Sequence, residues 1–359
     1  MYGSHSGASD REIVAQTFAV EELLTVLKLI PQLKSLELRS LPVYRDMWTL
    51  PLVGWPADFH PTTPNPQSLR DARLSLESLR LFNMASFVAD PSCLQAFLTI
   101  FERIDDLQFT DCQVPNYNRP IGRDITYWVP FEMMRHAPLQ TKRLTISTFR
   151  SSSFLAMFNL FSGIVDGAGI EYLELDPTDG GLRSYTNDAA SAYMARLTGL
   201  KELILRIPCH RIENWNSQFI TLPSLAPLHN LRKVSVYDLP VHSVEERRGL
   251  TNLPALRVIA DSIFNEVYAL LESARRATLT HVHLGFETMG TVLHARTATS
   301  HLRTTFVKNH WHRFLGARCF AADAFQELSL DGIWSTEWSK ATLRGSAEIR
   351  AVAGKLIPQ

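Results

Sequence analysis

The chain has 359 residues, 45% of them hydrophobic and 20% charged, and its 36 basic and 36 acidic side chains leave a formal net charge of +0 at pH 7. That apolar content is enough for a large core, arranged as two domains or as one elongated array. The balanced charge argues against a uniformly basic nucleic-acid or anionic-lipid binder and against a solvating acidic tail.

Residues 1–17 read as a flexible N-terminus without the apolar stretch of a signal peptide. From Phe18 to Ile30 apolar residues fall at helical spacing, predicting a helix that leads into PQLKSLEL. In LKSLEL the apolar positions Leu33, Leu36 and Leu38 follow the pattern apolar, two residues, apolar, one residue, apolar. Residues 42–72 then form a proline-rich insertion, with Pro42, Pro51, Pro56, Pro61, Pro64 and Pro66 beside Trp48 and Trp55. The apolar pattern returns in LESLRL (76–81) and, after a segment that Asp90 and Pro91 can open as a helix, in IDDLQF (104–109). TKRLTIS has Thr141 where the first apolar residue belongs. A helix predicted over FLAMFNLFSGIV, capped by Ser151 to Ser153 and stopped at Gly167 and Gly169, precedes IEYLEL (170–175). Further helix-like stretches lead into LKELIL (200–205) and LTHVHL (279–284), and between them come LRKVSV (231–236) and an imperfect LRVIAD (256–261). FQELSL (325–330) is the last, and residues 336–359 are predicted as a C-terminal capping helix.

The middle apolar residues, Leu36, Leu79, Leu107, Leu144, Leu173, Leu203, Val234, Ile259, Val282 and Leu328, are separated by roughly 23 to 31 residues at six of the nine intervals. In a strand the second and third apolar positions share one face and the residue between them takes the other. A single helix–strand unit cannot bury its apolar face alone, so neighbouring units must stack.

This arrangement resembles the leucine-rich-repeat region of F-box proteins, particularly the irregular kind common in fungal sequences, over residues 18–335. IDDLQFTDC, with Cys112 three residues after Phe109, is the stretch most similar to that family's cysteine-containing repeat. The resemblance implies an α/β fold: a curved leucine-rich-repeat solenoid with a parallel sheet on the concave face and helices and irregular segments outside. It also implies a protein–protein interaction module that recognises substrate proteins for an F-box (SCF-type) ubiquitin ligase. The F-box motif itself is not visible: REIVAQTFAVEELLTVL lacks the opening Leu-Pro, so a Skp1-type adaptor is expected as partner only if an F-box lies upstream. The alternatives are a leucine-rich-repeat scaffold or regulator with no ligase role, and an enzyme whose site is assembled from residues distant in sequence.

No GxSxG elbow, P-loop, GxGxxG after a strand, HExxH or EF-hand loop occurs, so neither catalytic residues nor a cofactor are expected. Cys93, Cys112, Cys209 and Cys319 form no CxxC pair, which points to reduced thiols in an intracellular protein, cytoplasmic or nuclear. His310, His312 and Cys319 are ligand types without a second pair at metal spacing, and no metal site is expected. The arginine pairs at 247–248 and 275–276 are too short to argue for nucleic acid, and no apolar stretch is long enough to span a membrane.

The residues flanking each second and third apolar position should point away from the core. Most are polar; Phe82, Tyr172, Ile204 and Tyr237 are not. Tyr172, Ile204 and Tyr237 are expected to form one apolar-aromatic patch rimmed by Glu174, Glu202, Arg206 and Lys233, which has the make-up of an interface hot spot. His281 and His283 should face the same way from LTHVHL. Trp48 and Trp55 are the alternative anchors.

Overall fold

The computed structural model describes residues 18–39, 43–44, 73–82, 97–110, 138–150, 164–179, 193–207, 222, 224–241, 253–274, 278–288, 315, 317–333 and 338–356. The expectations for Trp48, Trp55, His310, His312, both arginine pairs and most of the 42–72 insertion lie outside these residues. The chain divides into two compact units, Met1–Asp166 and Gly167–Gln359.

The first unit opens with the short strand β1 (Phe18–Ala19), helix α1 (Val20–Lys28), β2 (Ser35–Arg39) and β3 (Val43–Tyr44). β4 (Leu74–Phe82), β5 (Phe101–Thr110) and β6 (Arg143–Arg150) follow. β1 pairs with β3, while β2, β4, β5 and β6 pair in sequence order, all parallel. Register aligns Leu36 with Leu79, Leu79 with Leu107, and Leu107 with Leu144. The last three are fully buried, as are Leu81, Phe109 and Ile146 two positions on. Thr141, the polar residue at an apolar position, is also buried, and its hydroxyl donates to the Ile104 carbonyl at 2.5 Å. That bond removes the desolvation cost that an unpaired hydroxyl would carry there.

The second unit contains β7 (Tyr172–Asp179), β8 (Glu202–Arg206), β9 (Lys233–Val241), helix α2 (Leu253–Ser273), β10 (His281–Thr288), β11 (Glu327–Ile333), β12 (Trp338–Arg344) and helix α3 (Gly345–Leu356). β7 to β11 again pair parallel in sequence order. Three buried rows cross them. Ile170, Leu200, Leu231, Leu279 and Phe325 form the first, and Leu173, Leu203, Val234, Val282 and Leu328 the second. Leu175, Leu205, Val236, Leu284 and Leu330 form the third. Each strand is also entered in the same way. The Glu171 carbonyl accepts from the amides of Lys201 and Glu202, Lys201 from Arg232 and Lys233, Arg232 from Thr280 and His281, and Thr280 from Gln326 and Glu327. α2 buries Ile263, Val267, Leu270 and Leu271, one helical face. Its Ser273 accepts the Leu225 amide at 2.8 Å and its Glu272 the Arg318 amide at 2.6 Å.

Three expectations need correction. Ile259 does not anchor a strand: LRVIAD lies within α2, where the run from Leu253 to Ser273 has helical periodicity. The helical stretch predicted before IDDLQF stops short, because Phe101 already begins β5. And residues 336–359 are not one helix. Trp338–Arg344 is a strand antiparallel to β11, with Leu343 opposite Leu328 and Ala341 opposite Leu330. The open edge of β11 supplies backbone partners that outweigh the helix preference of Lys, Ala, Leu and Arg in this stretch. Gly345, at φ 71, then turns the chain from strand to helix, and the Glu348 carboxylate accepts the Arg344 amide at 2.6 Å to tie off the first turn of α3.

Candidate functional site

All nine residues singled out from the sequence lie in the second unit, on β7 to β10. Alternation along each strand puts them on the face opposite the core: Leu173, Leu175, Leu203, Leu205, Val234 and Val236 are buried, while Tyr172, Glu174, Glu202, Ile204, Arg206 and Tyr237 are partly exposed. Register sorts them into rows. Tyr172, Glu202, Lys233, His281 and Glu327 share one; Glu174, Ile204, Ser235, His283 and Ser329 share the next; Arg206 is opposite Tyr237 in the third.

Register sets the layout of the expected patch. Tyr172, Ile204 and Tyr237 occupy three different rows and so run diagonally across the sheet. With strands about 4.8 Å apart and about 3.3 Å per residue, the two tyrosines start roughly 16 Å from each other. Ile204 lies between them on the diagonal, and a polar bridge runs beside it: the Tyr172 hydroxyl donates to Glu174 Oε2 at 2.8 Å, and Arg206 Nε donates to Glu174 Oε1 at 3.1 Å. The Arg206 guanidinium in turn lies 4.9 Å from the centre of the Tyr237 ring. On the β10 side the Tyr237 ring meets His283, with centroids 4.9 Å apart and planes tilted by 42°. Arg206, Tyr237 and His283 thus form one stack across β8, β9 and β10. Partial burial works against the charge on Arg206, but the hydrogen bond and charge of Glu174, with the fields of Asp238 and Asp176, hold its pKa above the ordinary value.

The stack rests on a backbone irregularity. Val236 pairs with Leu284 and Leu239 with Phe286, so Tyr237 and Asp238 together stand opposite the single residue Gly285. Asp238 adopts φ 60, the left-handed region that short polar side chains tolerate best among residues other than glycine. This bulge re-aims Tyr237 over β10. A Cβ on Gly285 would come within 2.6 Å of Tyr237 Cδ1, so only glycine leaves room for the ring. The first unit repeats part of the device: Arg39, opposite Phe82 in register, places its guanidinium 4.8 Å from the Phe82 ring.

Nearer the strand starts, Lys233 Nζ pairs with Glu202 Oε1 at 2.7 Å, and His281 Nδ1 shares a 2.8 Å hydrogen bond with Thr280 Oγ1. Ser329 Oγ donates to Glu327 Oε1 at 2.7 Å. Between Ile204 and His283, Ser235 is 1% exposed, and its hydroxyl has no hydrogen-bond partner among the described residues. A buried hydroxyl left this way typically costs about 1–3 kcal/mol.

Sequence reasoning placed Ser235 on the outward face but missed Gly285 and Asp238 as parts of the site. A signal existed for Gly285, since a glycine inside the alternating run HVHLGFET marks a bulge or a close approach. Cys319 is fully buried beside Phe320, and burial pushes its thiol pKa up to about 12, which describes a core side chain. Among the described residues no group of three or more His, Cys, Asp or Glu is placed to hold a metal ion, and no helix is long and apolar enough to cross a membrane.

The fold is thus α/β, built on mostly parallel strands paired in chain order, with an aromatic–cation stack on the polar face of the second unit's sheet. Comparison with protein-family models, with curated proteins and with solved structures finds no match to this chain.

Proposed function

We propose that the chain is a protein–protein interaction module of leucine-rich-repeat type, whose contact surface is the polar face of β7 to β10. The observation that carries this reading is the Arg206–Tyr237–His283 stack. A large aromatic side chain is held on the face away from the core by a bulge, a left-handed Asp238 and an obligatory glycine. Rigid aromatic and arginine side chains on regular scaffold are what interface hot spots are made of. The three buried rows and the identical strand entries support the repeat assignment. The finer reading, substrate recognition for an SCF-type ubiquitin ligase through a Skp1-type adaptor, rests on the sequence resemblance alone. A scaffold or regulator without a ligase role would use the same surface.

The test is direct binding of a recombinant partner, first identified by proximity labelling, to the wild-type chain and to the Tyr172→Ala, Tyr237→Ala double variant. With melting temperature unchanged, the variant is expected to lose at least about tenfold in affinity, or about 1.4 kcal/mol. Unchanged affinity moves the interface elsewhere. Co-purification of the adaptor and a cullin separates the ligase reading from the scaffold reading.

A further inference from the structure

The second unit's sheet ends in β12, whose outer edge is unpaired among the described residues. β12 joins β11 antiparallel in an unbroken register from Trp338 opposite Ile333 to Arg344 opposite Glu327. The direction of its backbone groups follows from the bonds beside it. The Glu327 amide donates to the Thr280 carbonyl, so Glu327, Ser329 and Asp331 turn their amides and carbonyls toward β10. Leu328, Leu330 and Gly332 then turn theirs toward β12, where Leu343, Ala341 and Ser339 meet them. The Gly345 amide, donating to the Gln326 carbonyl, keeps the same phase. Trp338, Lys340, Thr342 and Arg344 are left with their backbone groups directed outward, and of these the Arg344 amide is taken by the Glu348 carboxylate.

Edge strands that avoid pairing carry prolines, bulges or uncompensated charge. β12 has no proline and no register shift. Its cations stand beside carboxylates of the same chain, Lys340 opposite Asp331 and Arg344 opposite Glu327, which relieves repulsion between two such edges.

We propose that the occupant of this edge is β12 of a second copy, paired antiparallel about a two-fold axis at Ala341. Outward backbone groups lie only on alternate positions, so Trp338, Lys340, Thr342 and Arg344 must pair among themselves. Centring at Ala341 overlaps the whole strand, with Lys340 opposite Thr342 and Trp338 opposite Arg344. Centring at Lys340 shortens the overlap and sets two lysines face to face; centring at Thr342 sets Lys340 against Arg344. Arginine opposite an aromatic residue on the neighbouring strand is a pairing this chain already makes in Arg39–Phe82 and Arg206–Tyr237. Lys340 and Thr342 exchange both backbone bonds with Thr342 and Lys340 of the other copy, and the Trp338 amide donates to the other Arg344 carbonyl. Opposed residues share a face, so the polar faces of both copies lie on one side of the joined sheet. The inference is independent of the interaction-module reading.

Sedimentation velocity of the full chain over about a hundredfold range of concentration tests it, since a homodimer's population follows mass action. A species of twice the 40.6 kDa chain mass should grow with concentration, and nothing larger should follow, because pairing uses up the edge. Thr342 is exposed, so its variants should keep the wild-type melting temperature. Thr342→Glu should tighten the dimer and Thr342→Lys loosen it, each by about threefold to tenfold, because two pairs with Lys340 form per dimer. Ala341→Cys checks the register: two copies about 4.5 Å apart at a pair without backbone bonds should oxidise to a covalent dimer in glutathione buffer. Thr342→Cys should cross-link no better than the unaltered chain. A chain that stays monomeric throughout overturns the proposal, whether another of its own segments or a different protein takes the edge. So does association that ignores both charge variants or responds to them in the opposite sense, and so does cross-linking at 342 in place of 341 or at neither.

Discussion

At Gly285 a single added methyl group decides where Tyr237 can lie. Gly285→Ala should push the ring off β10 and break the stack with His283. The expected loss is about 1–3 kcal/mol of stability, the usual scale for steric overpacking, read by urea denaturation together with loss of partner affinity. Retention of both would mean that the ring has another resting place. Asp238 offers a paired test. Asp238→Gly should be more stable than Asp238→Ala by about 1–2 kcal/mol, because alanine pays the left-handed penalty and glycine does not. Cys319 gives a pH dependence. Its thiol pKa is raised to about 12 in the folded chain, so the unfolded thiol ionises first as pH rises. The Cys319 contribution to stability is therefore complete below the ordinary thiol value of 9.0 and is lost as pH climbs toward 12. Mass spectrometry after alkylation should find Cys319 unmodified in native protein at pH 8 and modified once denaturant is added.

Within the sheet elements, the anchor positions carry the packing. Leu173 and Leu203 are fully buried and opposite one another in register, so either Leu→Ala change leaves a cavity flanked by two strands. Each should cost about 2–5 kcal/mol; less than about 1 kcal/mol for both would contradict the assigned register. Neighbour-only pairing also predicts graded protection. Amides of β8 and β9, with a partner strand on each side, should exchange with solvent more slowly than those of β12, which pairs with β11 alone among the described residues.

At the scale of the whole molecule, equal numbers of acidic and basic side chains leave little net repulsion between copies near neutral pH. Solubility at low salt should therefore pass through a minimum close to pH 7 and rise on either side. Precipitation assays across pH would show it, and a monotonic profile would mean that local charge excesses dominate.

The strand positions and their buried faces were legible in the sequence because each motif pairs a period of two with apolar identity at fixed offsets. Nine of the ten anchors lie in strands for that reason, and the outward direction of Tyr172, Ile204, Tyr237 and His283 followed from the same alternation. Ile259 was misread because a short apolar triplet also fits a helix, and the 21-residue α2 is settled by packing of Ile263, Val267, Leu270 and Leu271. Trp338–Arg344 became a strand because the β11 edge needed a partner, a demand that exists only once β11 is in place. The site divides along the same line. Which residues face outward is a local property of each strand. That Arg206 meets Tyr237, that Glu174 ties Arg206 to Tyr172, and that Gly285 makes room for the ring depend on register between strands separated by tens of residues. Register is set by the packing of the buried rows and by one bulge at Asp238, and neither is encoded in the spacing of any single motif.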